Sequence, residues 1–279
     1  MRTLFITTLF VLFAAGAFAQ QRPLVTQDPE TIGAGRVLFE GGIEYGRDAI
    51  YPVSGLKGNL FKVPMLGISV GLSSIAELQI DHASHDHLSI TSRRPAPLSG
   101  LVTATGNTTG DFDDLVVGTK VRVLSEGARR PAFGLRFATK LPNEGNESGL
   151  GLDTTDFFAT MLVGKTTESV RIVGNVGLGI LGDPTSGNRQ NDVIMYGLSF
   201  ARAITTPAEI VGEINGRANT RADGPLPGTE SRSVIRVGMR YTKGGWRGDG
   251  AVLLGGTNND PSIGFTAGFT YVFTAFSIP

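Results

Sequence analysis

Apolar and polar positions alternate with period two along most of the chain, and glycine, proline or short polar runs interrupt them at intervals. That period sets successive side chains on opposite faces of a strand. Val170, Ile172, Val176, Leu178 and Ile180 share one face of a segment over 169–181, with Arg171, Asn175, Gly177 and Gly179 on the other. Ile235, Val237, Met239 and Tyr241 oppose Arg236, Gly238 and Arg240. Leu115, Val117, Val121 and Val123 oppose Gly118, Lys120 and Arg122, and Phe133, Leu135 and Phe137 oppose Gly134, Arg136 and Lys140. Ile210 and Ile214 oppose Glu209, Glu213, Asn215 and Arg217. Near the end, Ile263, Phe265, Phe269, Tyr271 and Phe273 oppose Gly264, Thr266, Gly268 and Thr270.

The pattern predicts about twelve strands, near 36–46, 59–72, 75–90, 113–124, 131–141, 154–165, 168–181, 192–203, 207–219, 232–242, 245–256 and 262–274. Short turns hold Ser73-Ser74, Glu126-Gly127, Thr166-Thr167, Thr206-Pro207 and Gly244-Gly245. Longer polar loops alternate with them, at 47–58, 91–112, 142–153, 182–191, 220–231 and 257–261. Strands of roughly ten residues, with short turns at one end and long loops at the other, describe an outer-membrane barrel. The expected fold is all-β: one antiparallel up-and-down transmembrane β-barrel spanning 20–279, with both termini on the periplasmic side.

A soluble sandwich would also alternate. Two features favour the barrel. The apolar faces carry almost no charge, while the opposite faces concentrate it. Tyr45, Tyr196, Phe200, Tyr241, Trp246, Tyr271 and Phe273 collect near strand ends, as interfacial girdles do. Open sheet edges are not viable in lipid, so such a sheet must close. One segment fits poorly: Lys62 and Pro64 share the parity of Leu66, Ile68 and Val70, which a bulge at Pro64 would resolve.

The start of the chain changes the compartment. Arg2, the apolar run from Leu4 to Ala15 and the small-x-small sequence Ala17-Phe18-Ala19 predict a secretory signal over 1–19. The expected location is the outer membrane, with outer-membrane lipid, the barrel assembly machinery and small solutes as partners. Lys and Arg number 25, as do Asp and Glu, so net charge is zero. That balance argues against a nucleic-acid partner. Having no cysteine, the chain has no disulfide, thiolate metal site or lipid anchor.

The inward charges form a pattern. Glu77 and Asp81 neighbour Lys120 and Arg122, which neighbour Arg136 and Lys140. Glu209 and Glu213 neighbour Arg236 and Arg240, Arg171 lies between, and Arg36, Glu40 and Glu44 stand on the first strand. Adjacent strands thus tend to carry opposite charge, and cross-strand pairs are expected. These are the candidate lumen-lining residues. They can line a polar pore or fill the lumen with salt bridges, and a twelve-stranded barrel lies between the filled and open sizes. Glu77 and Asp81 neutralise only part of the basic wall formed by Lys120, Arg122, Arg136 and Lys140, so a water path there would favour anions. Inner glycines such as Gly118, Gly134, Gly177, Gly238 and Gly268 either leave room for a path or relieve strand crowding.

Other chemistry is sparse. The run Asp81-His82-Ala83-Ser84-His85-Asp86-His87 mixes imidazole and carboxylate, and can be read as a metal site or a solvated strand end. No G-x-S-x-G elbow, H-E-x-x-H or phosphate loop occurs. Neither enzyme activity nor a cofactor is expected, and a lipid-acting barrel enzyme would have only Ser84 near a histidine.

Five stretches carry a resemblance: Asp113-Asp114-Leu115-x-x-Gly118-x-Lys120; Pro131-Ala132-Phe133-Gly134; Lys140-Leu141-Pro142; Gly149-Leu150-Gly151-x-Asp153; and Gly268-Phe269-Thr270-Tyr271-Val272-Phe273. Over roughly residues 30 to 273 the chain resembles the outer-membrane proteins of the meta-pathway of phenol degradation. The resemblance implies an outer-membrane barrel that passes small or aromatic solutes passively, and carries over no catalytic residue. One departure is the tail, since residues continue past Phe273 and Phe276 to Pro279.

Overall fold

The computed structural model describes residues 22–277, so the expected signal over 1–19 lies outside the described residues. Its strands are β1 (Arg36–Tyr51), β2 (Leu56–Gly71), β3 (Ala76–Arg93), β4 (Thr108–Phe112), β5 (Val116–Leu124), β6 (Ala132–Lys140) and β7 (Asp156–Thr167), followed by β8 (Val170–Gly182), β9 (Gln190–Ala203), β10 (Ala208–Asn219), β11 (Arg232–Lys243), β12 (Trp246–Gly255) and β13 (Ile263–Thr274). Every pairing is antiparallel, and the sheet closes where β1 meets β13, from Arg36 opposite Thr274 to Arg47 opposite Ile263. Of the 13 strands, β4 and β5 share one place in the wall, which leaves twelve around the barrel. β5 pairs with the lower part of β3, β4 with its upper part.

Several expected boundaries differ: β4 lies within the loop expected at 91–112, and Thr166-Thr167, expected as a turn, ends β7. The strand expected over 113–124 begins at Val116. Asp113 and Asp114 leave the ladder because their carboxylates serve other groups: Lys62 donates to Asp113, and the backbone N–H groups of Asn143 and Glu144 donate to Asp114. The loop expected at 47–58 shrinks to 52–55, because β1 and β2 continue their pairing up to Tyr51 opposite Leu56.

The misfit at Lys62 is a bulge. Glu44 faces Lys62 and Gly42 faces Met65, and on the other neighbour Asp86 faces Lys62 and Ser84 faces Met65. Val63 and Pro64 therefore oppose a single residue on each side, which reverses parity along β2. Lys62 turns inward while Leu66 and Ile68 turn outward. A second shift, at left-handed His82 with φ 66°, does the same to β3. Glu77 and Gln79 below it, and Ser84, Asp86 and Leu88 above it, are all buried inside.

The outer face is apolar. Ile172 (50 % exposed), Val176 (47 %), Leu198 (55 %) and Val237 (54 %) stand on adjacent parts of the wall with no protein over them. A continuous belt of this kind would be an association liability in water and is the natural surface against lipid. Near the strand ends Trp246 stacks on Tyr271 at 4.3 Å and Tyr271 on Phe273 at 5.5 Å, while Tyr45 stacks on Phe265 at 5.5 Å. The chain is an outer-membrane β-barrel with an apolar belt and aromatic girdle. Val176→Arg places a charge on that belt and is expected to cost about 2–4 kcal/mol if near the bilayer midplane, against little for Val176→Leu. Unfolding titrations in lipid vesicles check this, and equal stability of the two variants contradicts the inside–outside assignment.

Candidate functional site: the lumen

The lumen holds a segment that the alternation does not foretell. Residues 22–32, ahead of β1, cross from the β12–β13 wall to the foot of β3. Arg22 donates to Thr266 Oγ1 and the Ala267 carbonyl, both at 3.1 Å, and pairs with Asp249 at 3.5 Å. The backbone N–H groups of Val25 and Thr26 donate to the Glu213 carboxylate at 3.0 and 2.8 Å. Gln27 N–H donates to Asn175 Oδ1 at 2.6 Å, and Asn175 Nδ2 donates back to the Gln27 carbonyl at 2.8 Å. Arg171 grips Asp28 through two bonds of 2.9 and 2.7 Å. Glu30 pairs with Arg122, and Ile32 N–H donates to Glu77 at 2.7 Å. A chain inside a barrel has no sheet partner for its own N–H groups, so wall carboxylates and amides must satisfy them. Leu24 adds an apolar anchor against Ala201 and Val211, and Ile32 packs with Leu38 and Val272.

Several inner glycines make room for this strap. A Cβ at Gly42 would lie 2.3 Å from the Arg22 guanidinium, and one at Gly268 2.5 Å from it. At Gly197 it would meet Thr26 at 2.8 Å, and at Gly134 it would meet Pro29 at 3.2 Å.

The expected lumen residues make the following contacts. Glu77 and Lys120, directly opposite in register, pair at 3.0 Å with both side chains 0 % exposed. Arg136 pairs with Asp81 at 3.0 Å and donates to Gln79 at 2.7 Å. Arg236 pairs with Glu213 at 3.1 Å, Arg247 approaches Glu209 at 3.9 Å, and Arg240 donates to the Arg22 carbonyl at 2.7 Å. Lys140 pairs with Asp114 at 2.6 Å and Asp156 at 3.3 Å, and Arg171 also reaches Glu126 at 2.6 Å. This corrects the basic wall. Lys120, Arg122, Arg136 and Lys140 all have carboxylate partners, and three of those, Glu30, Asp114 and Asp156, come from the strap and the strand ends. An anion preference based on unpaired cations there loses its ground.

At the outer mouth Lys62 bridges Asp86 and Asp113, each at 2.7 Å. The connection 141–155, with its 3₁₀ turn Asn146–Ser148, folds over them. Ser54 Oγ donates to the Gly149 carbonyl at 2.6 Å, and Leu150 joins an apolar cluster with Ala49, Leu56 and Leu88. Glu144 in this connection is 6 % exposed, and its Oε1 has no hydrogen-bond partner. Burial, with Asp113 and Asp86 close by, pushes its pKa up to about 9.

Two arginines escaped notice as a pair. Arg217 and Arg232 stand directly opposite in the β10–β11 register. Arg217 donates to the carbonyls of Glu230 and Gly228 at 2.8 and 2.7 Å, and Arg232 to that of Ile50 at 3.2 Å. The polar face of β10 placed Arg217, but Arg232 precedes the alternation of β11. The histidines do not assemble a centre: His85 and His87 lie 4.5 Å apart beside Phe112, away from the inward carboxylates. Among the described residues no group of three or more His, Asp or Glu could hold a metal ion. Ser84 donates to Asp86 at 2.8 Å.

No family model and no curated protein matches the chain. Solved structures do. An outer membrane channel from Pseudomonas putida F1 superposes with a TM-score of 0.59 at 14 % identity, covering 88 % of this chain and 98 % of that one. LpxR from Salmonella typhimurium gives 0.45 at 9 % identity, covering 85 % and 100 %. The Pseudomonas putida toluene transporter TodX gives 0.39 at 9 %, covering 89 % and 92 %. The first likeness is one of fold, and the two lower scores carry no argument.

Removing one partner of a fully buried ion pair strands the other. Glu77→Gln is expected to destabilise the barrel by about 3–5 kcal/mol, and adding Lys120→Met should recover most of that. Urea unfolding of the refolded single and double variants checks it, and an additive result contradicts it. For Glu144 the sign runs opposite to an ordinary carboxylate. Its folded pKa of about 9 lies above its usual 4.5, so its contribution is full below pH 4.5 and fades as pH rises toward 9. Unfolding midpoints should therefore fall over that window relative to Glu144→Gln, and parallel profiles contradict the burial of this carboxyl.

Proposed function

We propose that the protein is a passive outer-membrane channel for small solutes, of the kind found among outer-membrane proteins of the meta-pathway of phenol degradation. The observation that carries this reading is the way the lumen is closed. Closure rests on residues 22–32 and on inturned connections, held by polar contacts, while most of the wall charges around them are paired. Such a wall tolerates water, and its obstruction is a discrete segment. On this reading the leading 19 residues are a secretory signal, the assembly machinery inserts the barrel, and the inward side chains from Glu77 to Arg240 border the path. No cofactor or catalytic residue is invoked.

A second reading, a closed barrel with a structural or surface role, draws on the same strap and on the apolar cluster at the outer mouth. Liposome swelling with uncharged solutes of graded size separates the two. The wild type should admit small solutes. The double change Asp28→Asn and Glu30→Gln, which loosens the strap from Arg171 and Arg122, should raise the rate several-fold and admit larger ones. If neither protein admits any solute, the closed-barrel reading stands instead.

A further inference from the structure

Most inward arginines in this barrel meet carboxylates. Arg122, Arg136, Arg171 and Arg236 each lie within 4 Å of at least one Asp or Glu. Arg217 and Arg232 do not: their bonds go to backbone carbonyls, and no carboxylate among the described residues approaches either within that distance. They are nonetheless a directly opposed cross-strand pair. Like charges in that relation destabilise a sheet, and carbonyl oxygens orient a guanidinium without cancelling its charge. Both side chains are half-buried at the outer mouth, and none of their nitrogens is a sealed atom lacking a partner. The arrangement is two preoriented forks with donors to spare.

Apolar side chains flank the carbonyls that hold the two forks, while the carboxylates of Glu230, Asp156 and Asp260 act on Arg217 from outside ion-pair distance. Gly228, whose carbonyl holds Arg217, packs so that a Cβ there would lie 3.0 Å from Leu152 and 3.2 Å from Val53. Ile50, whose carbonyl holds Arg232, precedes Tyr51, which packs on the cluster of Leu56, Leu88 and Leu150. We propose that Arg217 and Arg232 together bind the carboxylate of a solute whose body is apolar. The guanidinium fork matches a carboxylate in shape and charge, and the adjacent side chains give the rest of such a molecule a surface to lie on. The proposal deepens the channel reading by naming a solute class that enters from outside.

The test is calorimetric titration of the folded barrel in detergent, with sodium benzoate as probe and benzyl alcohol as the uncharged molecule of similar size. Benzoate should bind the wild type at least about tenfold more tightly than benzyl alcohol. Arg217→Gln and Arg232→Gln should each weaken benzoate about tenfold or more and leave benzyl alcohol unchanged. Lys243→Gln, at the opposite end of the barrel, should leave both unchanged. Equal binding of the two probes by the wild type overturns the site, and so does unaltered benzoate binding by both folded arginine variants. Should a variant fail to show the heat-modifiable mobility of a folded barrel, the wild-type comparison remains decisive. Swelling with uncharged solutes in the absence of benzoate binding removes the site and keeps the channel; benzoate binding without swelling keeps the site and removes the channel.

Discussion

Charge pairing inside a closed wall is the constraint on which the rest of this structure depends. A charge facing the interior has little bulk water to solvate it and must find a counter-charge or a hydrogen-bond partner. Lys120 meets Glu77 with both side chains out of contact with solvent. Around them the strap places Asp28 against Arg171 and Glu30 against Arg122. The wall and the strap are therefore electrostatically one object: without the strap these arginines lose carboxylates, and without the arginines the strap loses its main anchors.

Backbone irregularity serves the same end. A strand of strict alternation cannot place Lys62 inside and Leu66 outside, because they share parity. The bulge at Val63 and Pro64 exchanges the faces, and the shift beside His82 lets β3 present Glu77 and Asp86 to the same interior. Of the two strands involved, β3 adjoins the interrupted position shared by β4 and β5, and β2 is the next strand beyond it. At the interrupted position Asp113 and Asp114 give up ladder bonds to hold Lys62, Lys140 and the connection over the outer mouth. Glycine contributes in the complementary way, since at Gly42, Gly197 and Gly268 the missing side chain is the space that Arg22 and Thr26 occupy.

The two mouths differ in chemistry. The half nearer the short turns is crowded by the strap and its ion pairs. The other half combines an apolar cluster, the buried carboxyl of Glu144 and the carbonyl-held pair Arg217 and Arg232.

Much of this was legible in the order of residues. Period-two alternation is a local property, and it identified the twelve places in the wall and the apolar belt, but not β4 or the exchange of faces along β2 and β3. It also placed Glu77, Lys120, Arg136 and Glu213 on the inside. Partners were another matter. Glu77 opposite Lys120 follows from adjacent strands, but Arg122 with Glu30 and Lys140 with Asp156 involve residues outside the strand pairs that alternation compares. Residues 22–32 have no period to read, because an unpaired segment in a lumen is shaped by the wall around it. The inner glycines signalled that something needed room, without saying what. Register, bulge position and the path of an aperiodic segment depend on closing the whole sheet at once, and only the closed barrel decides them.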